Sequence, residues 1–163
     1  MESAISELLG IVREEIKIYR VLIEHTRRKT ALLVQGKIDA ILESNRIEEM
    51  FNLKLRGLEN EMSRLCRDLS QLFRIPREEF TLLKLADRLE QPLAQEIRSQ
   101  TALFGNIVKQ LKSVSQCNMR LIEKSIHYSK GLLDLISNAS GSYQHTGLLK
   151  PIRSAQPTFS ERA

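Results

Sequence analysis

The chain has 163 residues, of which 42% are hydrophobic, 28% charged and only 5% aromatic. This composition is typical of one folded domain and excludes a wholly disordered chain. With no Trp and only four Pro and seven Gly, the chain lacks the turn residues that a β-sandwich or barrel needs about every 8–12 positions. The composition therefore predicts an all-α fold with long helices.

The formal charge of +5 makes nucleic acid a partner to consider. Binding to a phosphate backbone requires clustered Lys and Arg, and the chain has one basic triplet, Arg27-Arg28-Lys29, with no aromatic residues interleaved. The other cations alternate with Glu and Asp, as on a solvated helix surface. The charge pattern therefore argues against a nucleic-acid partner.

Neither a long apolar run nor a signal-peptide pattern occurs in the sequence. We therefore expect a cytoplasmic protein with no direct membrane insertion. Cys66 and Cys117 lie far apart and form no CxxC motif, so neither a disulfide framework nor a zinc site is predicted. Both are expected to be reduced.

Two heptad patterns joined by a short turn open the chain. From Ile5 to Leu33, apolar residues recur in steps of four and three, and a second apolar stripe beside them indicates packing into a bundle. Gly36 can adopt the left-handed conformation that ends a helix. The pattern predicts an α-hairpin of helices 4–34 and 38–73. Ser44-Asn45 interrupts the second helix, and we interpret it as fixing the register, with a functional role as the alternative.

A connector and a third long helix follow. Pro76 ends the second helix and can begin a short connecting helix over 77–90, and Pro92 begins a helix over 93–137. Apolar residues of this third helix, including Tyr128, Leu132 and Leu135, are assigned to its inward face. The same face carries several polar residues, which predict loose packing or a docking partner in its C-terminal half: Thr101, Ser115, Asn118, Ser125 and Ser129.

The composition changes after residue 137, where Ser, Asn and Gly predominate. We predict an antiparallel three-helix coiled-coil bundle over 1–137, with the short connecting helix, and a flexible partner-binding tail over 138–163, which buries too little apolar surface to fold alone. The tail nevertheless carries apolar and aromatic residues. They indicate a segment that becomes ordered on a partner, or else they are incidental: Tyr143, Leu148, Leu149, Ile152 and Phe159.

Patterns that signal catalysis or metal binding do not occur in the sequence. There is no Glu-x-x-His pair, HExxH, GxSxG or Gly-rich phosphate loop, and the three His residues are scattered. Adjacent acids such as Glu14-Glu15 diverge around a helix instead of converging on a substrate. We therefore predict a protein-binding protein that is not an enzyme, with no cofactor, no metal and no small-molecule substrate.

Three blocks of the sequence, taken in chain order, resemble the FlgN family of flagellar export chaperones for hook-associated proteins. The first runs from Tyr19 through Leu33-Val34-Gln35-Gly36 to the acids Glu48-Glu49 and to Leu58-Glu59. The second is Asn118-x-x-Leu121-Ile122 followed by Leu132-Leu133, and the third is Tyr143-x-x-x-Gly147. The resemblance extends over about residues 5–147.

The resemblance implies a chaperone that binds the C-terminal helical segments of hook-associated, or hook–filament junction, proteins. It would prevent their premature assembly and deliver them to the type III export gate. Tyr143 resembles the family residue that engages the gate, and we expect these residues to form the cargo surface: Ile122, Ile126, Leu132, Leu133, Ile136, Leu148 and Leu149. The alternative is a structural or scaffolding coiled coil that self-associates. The wide stripe on helix 1 permits a monomer or a dimer.

Overall fold

The computed structural model describes residues 2–140, with side chains for 2–137. It contains four α-helices and one turn of 3-10 helix, with no strand in this part of the chain. The helices are α1 (Glu2–Gln35), α2 (Ile38–Leu72), α3 (Leu82–Ala86) and α4 (Leu93–Ser140), and the 3-10 turn is Arg77–Glu79. The predicted all-α fold of long, packed helices is confirmed.

The chain divides into two compact units, residues 1–121 and residues 122–163. The first unit contains α1, α2, α3 and the first part of α4. In the second unit the structure describes residues 122–140, which form the end of α4. This division lies earlier in the chain than the boundary at residue 137 that the composition predicts. The end of α4 differs from the first unit in burial, because every side chain from Glu123 to Ser137 is exposed.

The hairpin between α1 and α2 is closed by Gly36, which has a φ of 65°. The Gly36 N–H donates to Leu33 O (3.2 Å), and the Lys37 N–H donates to Leu32 O (3.1 Å). These two bonds satisfy carbonyl groups that the end of α1 would otherwise leave unpaired, which is the pattern of a Schellman cap. The left-handed turn predicted at this position is confirmed.

Replacing Gly36 with Ala should lower the free energy of unfolding by about 1 kcal/mol, because a Cβ is strained at positive φ. A Cβ at Gly36 would meet no atom within 4 Å, so the cost comes from the backbone alone. Gly57 is the matched control, since it is helical, exposed and equally uncrowded. Gly57→Ala should stabilise the protein by about 0.5–1 kcal/mol. Urea unfolding of both variants checks the prediction, which fails if Gly36→Ala is neutral or stabilising.

The first unit is an up-down-up bundle in which α1 contacts both other long helices. The Lys29 ammonium binds Glu48 at 2.7 Å, as expected for the antiparallel α2. The Arg13 guanidinium binds Glu96, and Thr30 Oγ1 donates to Asn118 Oδ1 at 2.6 Å. From the Arg13–Glu96 pair to the Thr30–Asn118 pair, the residue number increases on both helices, so α4 is parallel to α1.

The largest core cluster lies where the beginning of α1 meets the end of α2. Apolar residues of α1, α2, α3 and α4 contribute to it, and its largest fully buried side chains are Ile5, Leu8, Leu69, Leu85 and Ile97. Further along α1, two smaller clusters join it to α4 and to α2. The heptad stripes of the first two helices therefore face the core, as their spacing predicts, and α3 and α4 complete it.

The connector differs from the continuous helix predicted over 77–90. After the 3-10 turn, Phe80 and Thr81 are extended, and α3 begins at Leu82. The Thr81 side chain accepts a hydrogen bond from the Lys84 N–H at 3.1 Å, which makes Thr81 an N-cap that separates the two turns. With this break, apolar side chains from both parts of the connector contact the largest core cluster: Phe80, Leu82 and Leu89.

One carboxyl group lies inside the bundle. Glu15 of α1 is only 4% exposed, whereas its neighbour Glu14 is exposed and pairs with Lys17. Burial, with a smaller contribution from the nearby Glu59 carboxylate on α2, raises the pKa of Glu15 to about 7. Burial, followed by the charge of Glu15, also raises the pKa of Cys66. The bundle therefore contains an acid that titrates near neutral pH.

Candidate functional site: an exposed apolar face on the last helix

The described part of the second unit is an amphipathic helix with its apolar side open to solvent. At 100° per residue, Ile122, Ile126, Leu133 and Ile136 form one stripe, and Tyr128, Leu132 and Leu135 form a second stripe beside it. We call these seven residues the α4 apolar face. The opposite side of the helix carries polar and charged residues: Glu123, His127, Lys130 and Asp134.

The exposure of this face distinguishes it from the heptad stripes that form the core on α1 and α2. Ile126 is 51% exposed, Leu133 63%, Leu135 67% and Tyr128 69%, whereas Ile122 is half-buried. Stripes of the same period on α1 and α2 are covered by other helices of the first unit. Contiguous apolar surface on a soluble protein marks an interaction site. The arrangement suits the binding of another amphipathic helix.

The structure brings together five of the predicted cargo residues. Ile126, Leu132, Leu133 and Ile136 are exposed on the α4 apolar face, and Ile122 lies at its beginning. The other three predicted site residues, Tyr143, Leu148 and Leu149, lie outside the described residues.

The sequence pattern assigns three members of this face, Tyr128, Leu132 and Leu135, to an inward face of the third helix. All three are exposed, so this assignment is wrong, although Leu132 is also one of the predicted cargo residues. The signal that could have identified them is the width of the pattern. Two parallel stripes with Ser125 between them cover about half of the helix circumference, which is more than one seam of a coiled coil requires.

The polar positions predicted along this helix have different environments. Asn118 is buried, and its amide donates to Thr26 O at 3.0 Å while accepting from Thr30 Oγ1. Ser115, Ser125 and Ser129 are exposed. Thr101 Oγ1 is buried with no hydrogen-bond partner among the described residues. Asn118 therefore belongs to a satisfied polar contact with α1.

A second polar contact joins α1 to α2 at the same level. His25 Nε2 lies 2.9 Å from Ser44 Oγ and 3.1 Å from Ser44 O, and Ser44 is buried. The His25–Ser44 contact and the Lys29–Glu48 ion pair together form a polar layer across the hairpin. Because the buried Ser44 side chain has a hydrogen-bond partner here and a shifted pairing of α1 and α2 would remove it, the contact supports the interpretation that Ser44 specifies the register.

The described residues contain no group of three His, Cys, Asp or Glu side chains that could hold a metal ion. Among the same residues, no helix is long and apolar enough to cross a membrane. The fold and the α4 apolar face define a helical-bundle protein whose last described helix is amphipathic and exposes its apolar side.

Comparison with known proteins identifies the family. The FlgN family model, described as FlgN protein, matches residues 1–151, and the chain belongs to the FlgN family. The family is one of chaperones for flagellar export, not of enzymes, and its members bind flagellar export substrates. A search of curated proteins and a search of solved structures each gave no match.

Proposed function

We propose that this protein binds the C-terminal helical segments of hook-associated (hook–filament junction) proteins, prevents their premature assembly and delivers them to the type III export gate. The observation that carries the proposal is the α4 apolar face, because a FlgN family chaperone needs a surface that recognises apolar helical ends. The face has the width and the exposure that such a surface requires.

The binding step follows from helix amphipathicity. A cargo segment that is disordered when free can form a helix whose apolar side covers Ile126, Leu132 and Leu133. Burial of each such side chain contributes about 1.5–3 kcal/mol. Ordering the cargo segment costs about 2–5 kcal/mol of this gain. The balance keeps affinity moderate, which suits a chaperone that must release its cargo at the gate.

The tail completes the proposed site. Leu148 and Leu149 would add apolar contacts with cargo, continuing the surface formed by Ile122, Ile126, Leu132, Leu133 and Ile136. The role of Tyr143 rests on its resemblance to the family residue that engages the export gate. Separate surfaces for cargo and gate would allow the chaperone to hold both at once.

Replacing Tyr143 with Ala should therefore weaken binding to the export gate by about tenfold or more, as expected for loss of an aromatic hot spot, and leave cargo affinity unchanged. Titration of the full-length variant against purified gate protein and against a cargo segment measures the two affinities separately. Tyr128→Ala, which removes an aromatic ring from the α4 apolar face, is the matched control and should weaken cargo binding only. Equal losses of both affinities in the Tyr143 variant would contradict separate surfaces.

A further inference from the structure

A groove in the first unit lies between the outer surfaces of α1 and α2, and none of its lining residues is among those assigned above to cargo or gate. It has a volume of about 440 Å³, and the residues that form it include Val21, Ile47 and Phe51, with Arg20 and Arg28 also lining it. We call it the α1–α2 groove. All of its lining residues belong to the hairpin.

The apolar part of the groove is firmly supported. Phe51 packs against the core cluster of Ile18, Leu22 and Leu55, and Val21 is 51% exposed. His25, which also lines the groove, is held by Ser44. The groove therefore presents an apolar strip on a rigid backing, which is a surface that an apolar side chain can cover without rearrangement of the hairpin.

The charges around this strip are unbalanced. Two of the three cations of the Arg27-Arg28-Lys29 triplet have partners, since Arg27 pairs with Glu24 and Lys29 pairs with Glu48. Among the described residues, Arg28 forms no ion pair, and the same holds for Arg20. These two Arg residues are two turns of α1 apart, about 12 Å along the helix axis. The groove thus combines apolar surface with two uncompensated guanidinium groups.

We propose that the α1–α2 groove binds an acidic amphipathic helix of another protein. The apolar residues of that helix would cover Val21, Ile47 and Phe51, and two carboxylates about seven residues apart would reach Arg20 and Arg28. Arg is suited to this role, since its planar guanidinium binds a carboxylate through two parallel hydrogen bonds. The apolar strip and the Glu24 carboxylate beside it favour a protein over the phosphate backbone of a nucleic acid.

The proposal goes beyond the cargo and gate functions and does not rest on them. The test uses the full chain and a labelled amphipathic helical peptide of about 18 residues, with two Glu seven positions apart beside a Leu-rich face. Fluorescence anisotropy should show saturable binding. The double variant Arg20→Glu, Arg28→Glu should weaken it by at least about tenfold. Val21→Ser, at an exposed position that leaves folding intact, should weaken it about threefold to tenfold.

The matched control is Arg56→Glu with Arg64→Glu, because these residues are also two turns apart, exposed and, among the described residues, in no ion pair. It should change peptide affinity less than about twofold. Equal losses in the two double variants would overturn the proposal, as would equally tight binding of a polyglutamate peptide or of a single-stranded oligonucleotide. A concentration-dependent dimer abolished by Arg20→Glu, Arg28→Glu would identify a second copy as the occupant and would also overturn it. Substitutions on the α4 apolar face should leave binding of this peptide unchanged. The experiment therefore tests the α1–α2 groove separately from the proposed cargo site.

Discussion

Replacing Glu15 with Gln should stabilise the protein at pH 8 by on the order of 3 kcal/mol and leave its stability at about pH 4 nearly unchanged. Glu15 is 4% exposed, and burial, with a further contribution from Glu59, raises its pKa to about 7 from the ordinary value of 4.5. The folded protein therefore holds this proton more tightly than the unfolded chain does. Gln keeps the shape of the protonated carboxyl group but carries no titratable charge.

The sign of the pH dependence follows from that difference. The contribution of Glu15 to stability is fully present below about pH 4.5, where the group is protonated in both states. It is lost as the pH rises from about 4.5 to about 7, because the unfolded chain then ionises this carboxyl group whereas the folded protein still holds the proton. Above about pH 7 the loss is complete and constant. This contribution to the free energy of unfolding therefore falls between pH 4.5 and pH 7.

Urea unfolding of the parent chain and of Glu15→Gln, measured from pH 4 to pH 8, provides the test. Glu14→Gln is the matched control, since Glu14 is adjacent, exposed and paired with Lys17 on the surface. It should follow the pH dependence of the parent chain to within about 0.5 kcal/mol. The account of Glu15 is wrong if Glu15→Gln loses stability with rising pH as steeply as the parent does.

Replacing Ile126 and Leu133 together with Asp should lower affinity for a hook-associated cargo segment by at least about a hundredfold. Both residues are in the same stripe of the α4 apolar face and are 51% and 63% exposed. Each substitution removes an apolar side chain worth about 1.5–3 kcal/mol when covered and places a carboxylate where the cargo would exclude water. The melting temperature should be unchanged, because neither side chain contributes to the core.

The control for this pair lies on the opposite side of the same helix. His127→Asp with Lys130→Ala changes the net charge by the same amount at exposed polar positions, and it should leave cargo affinity within about twofold of the parent. If this control weakens cargo binding as strongly as the Ile126 and Leu133 pair, the effect is electrostatic and the assignment of the face is wrong. Comparison of melting curves for all variants excludes unfolding as the cause.

Heptad spacing predicts most of the first unit because the stripes of α1 and α2 are covered within the hairpin. The same spacing is less informative along α4. Ile97 and Ile107 are buried, whereas Tyr128 and Leu135 continue the apolar pattern and are exposed. A period of 3.5 residues identifies an apolar side of a helix, but it does not say whether the same chain or another protein covers that side.

Other features depend on pairings between distant residues. The adjacent acids Glu14 and Glu15 do diverge around α1, as their spacing predicts, but only the packing of α2 decides that Glu15 is the buried one. The α1–α2 groove likewise depends on the hairpin register that brings Phe51 beside Val21. In the connector, the break before Leu82 has a local signal, because Thr81 is a residue type that commonly caps helix N-termini.

The binding of hook-associated proteins by their C-terminal helical segments, which we propose for this FlgN family member, is tested most directly by calorimetry. The full chain is titrated with those segments from the same organism at several temperatures. The account predicts saturable binding with a negative heat-capacity change, because apolar surface on the α4 apolar face is buried. Absence of binding to any of these segments by a fully folded chain would contradict it.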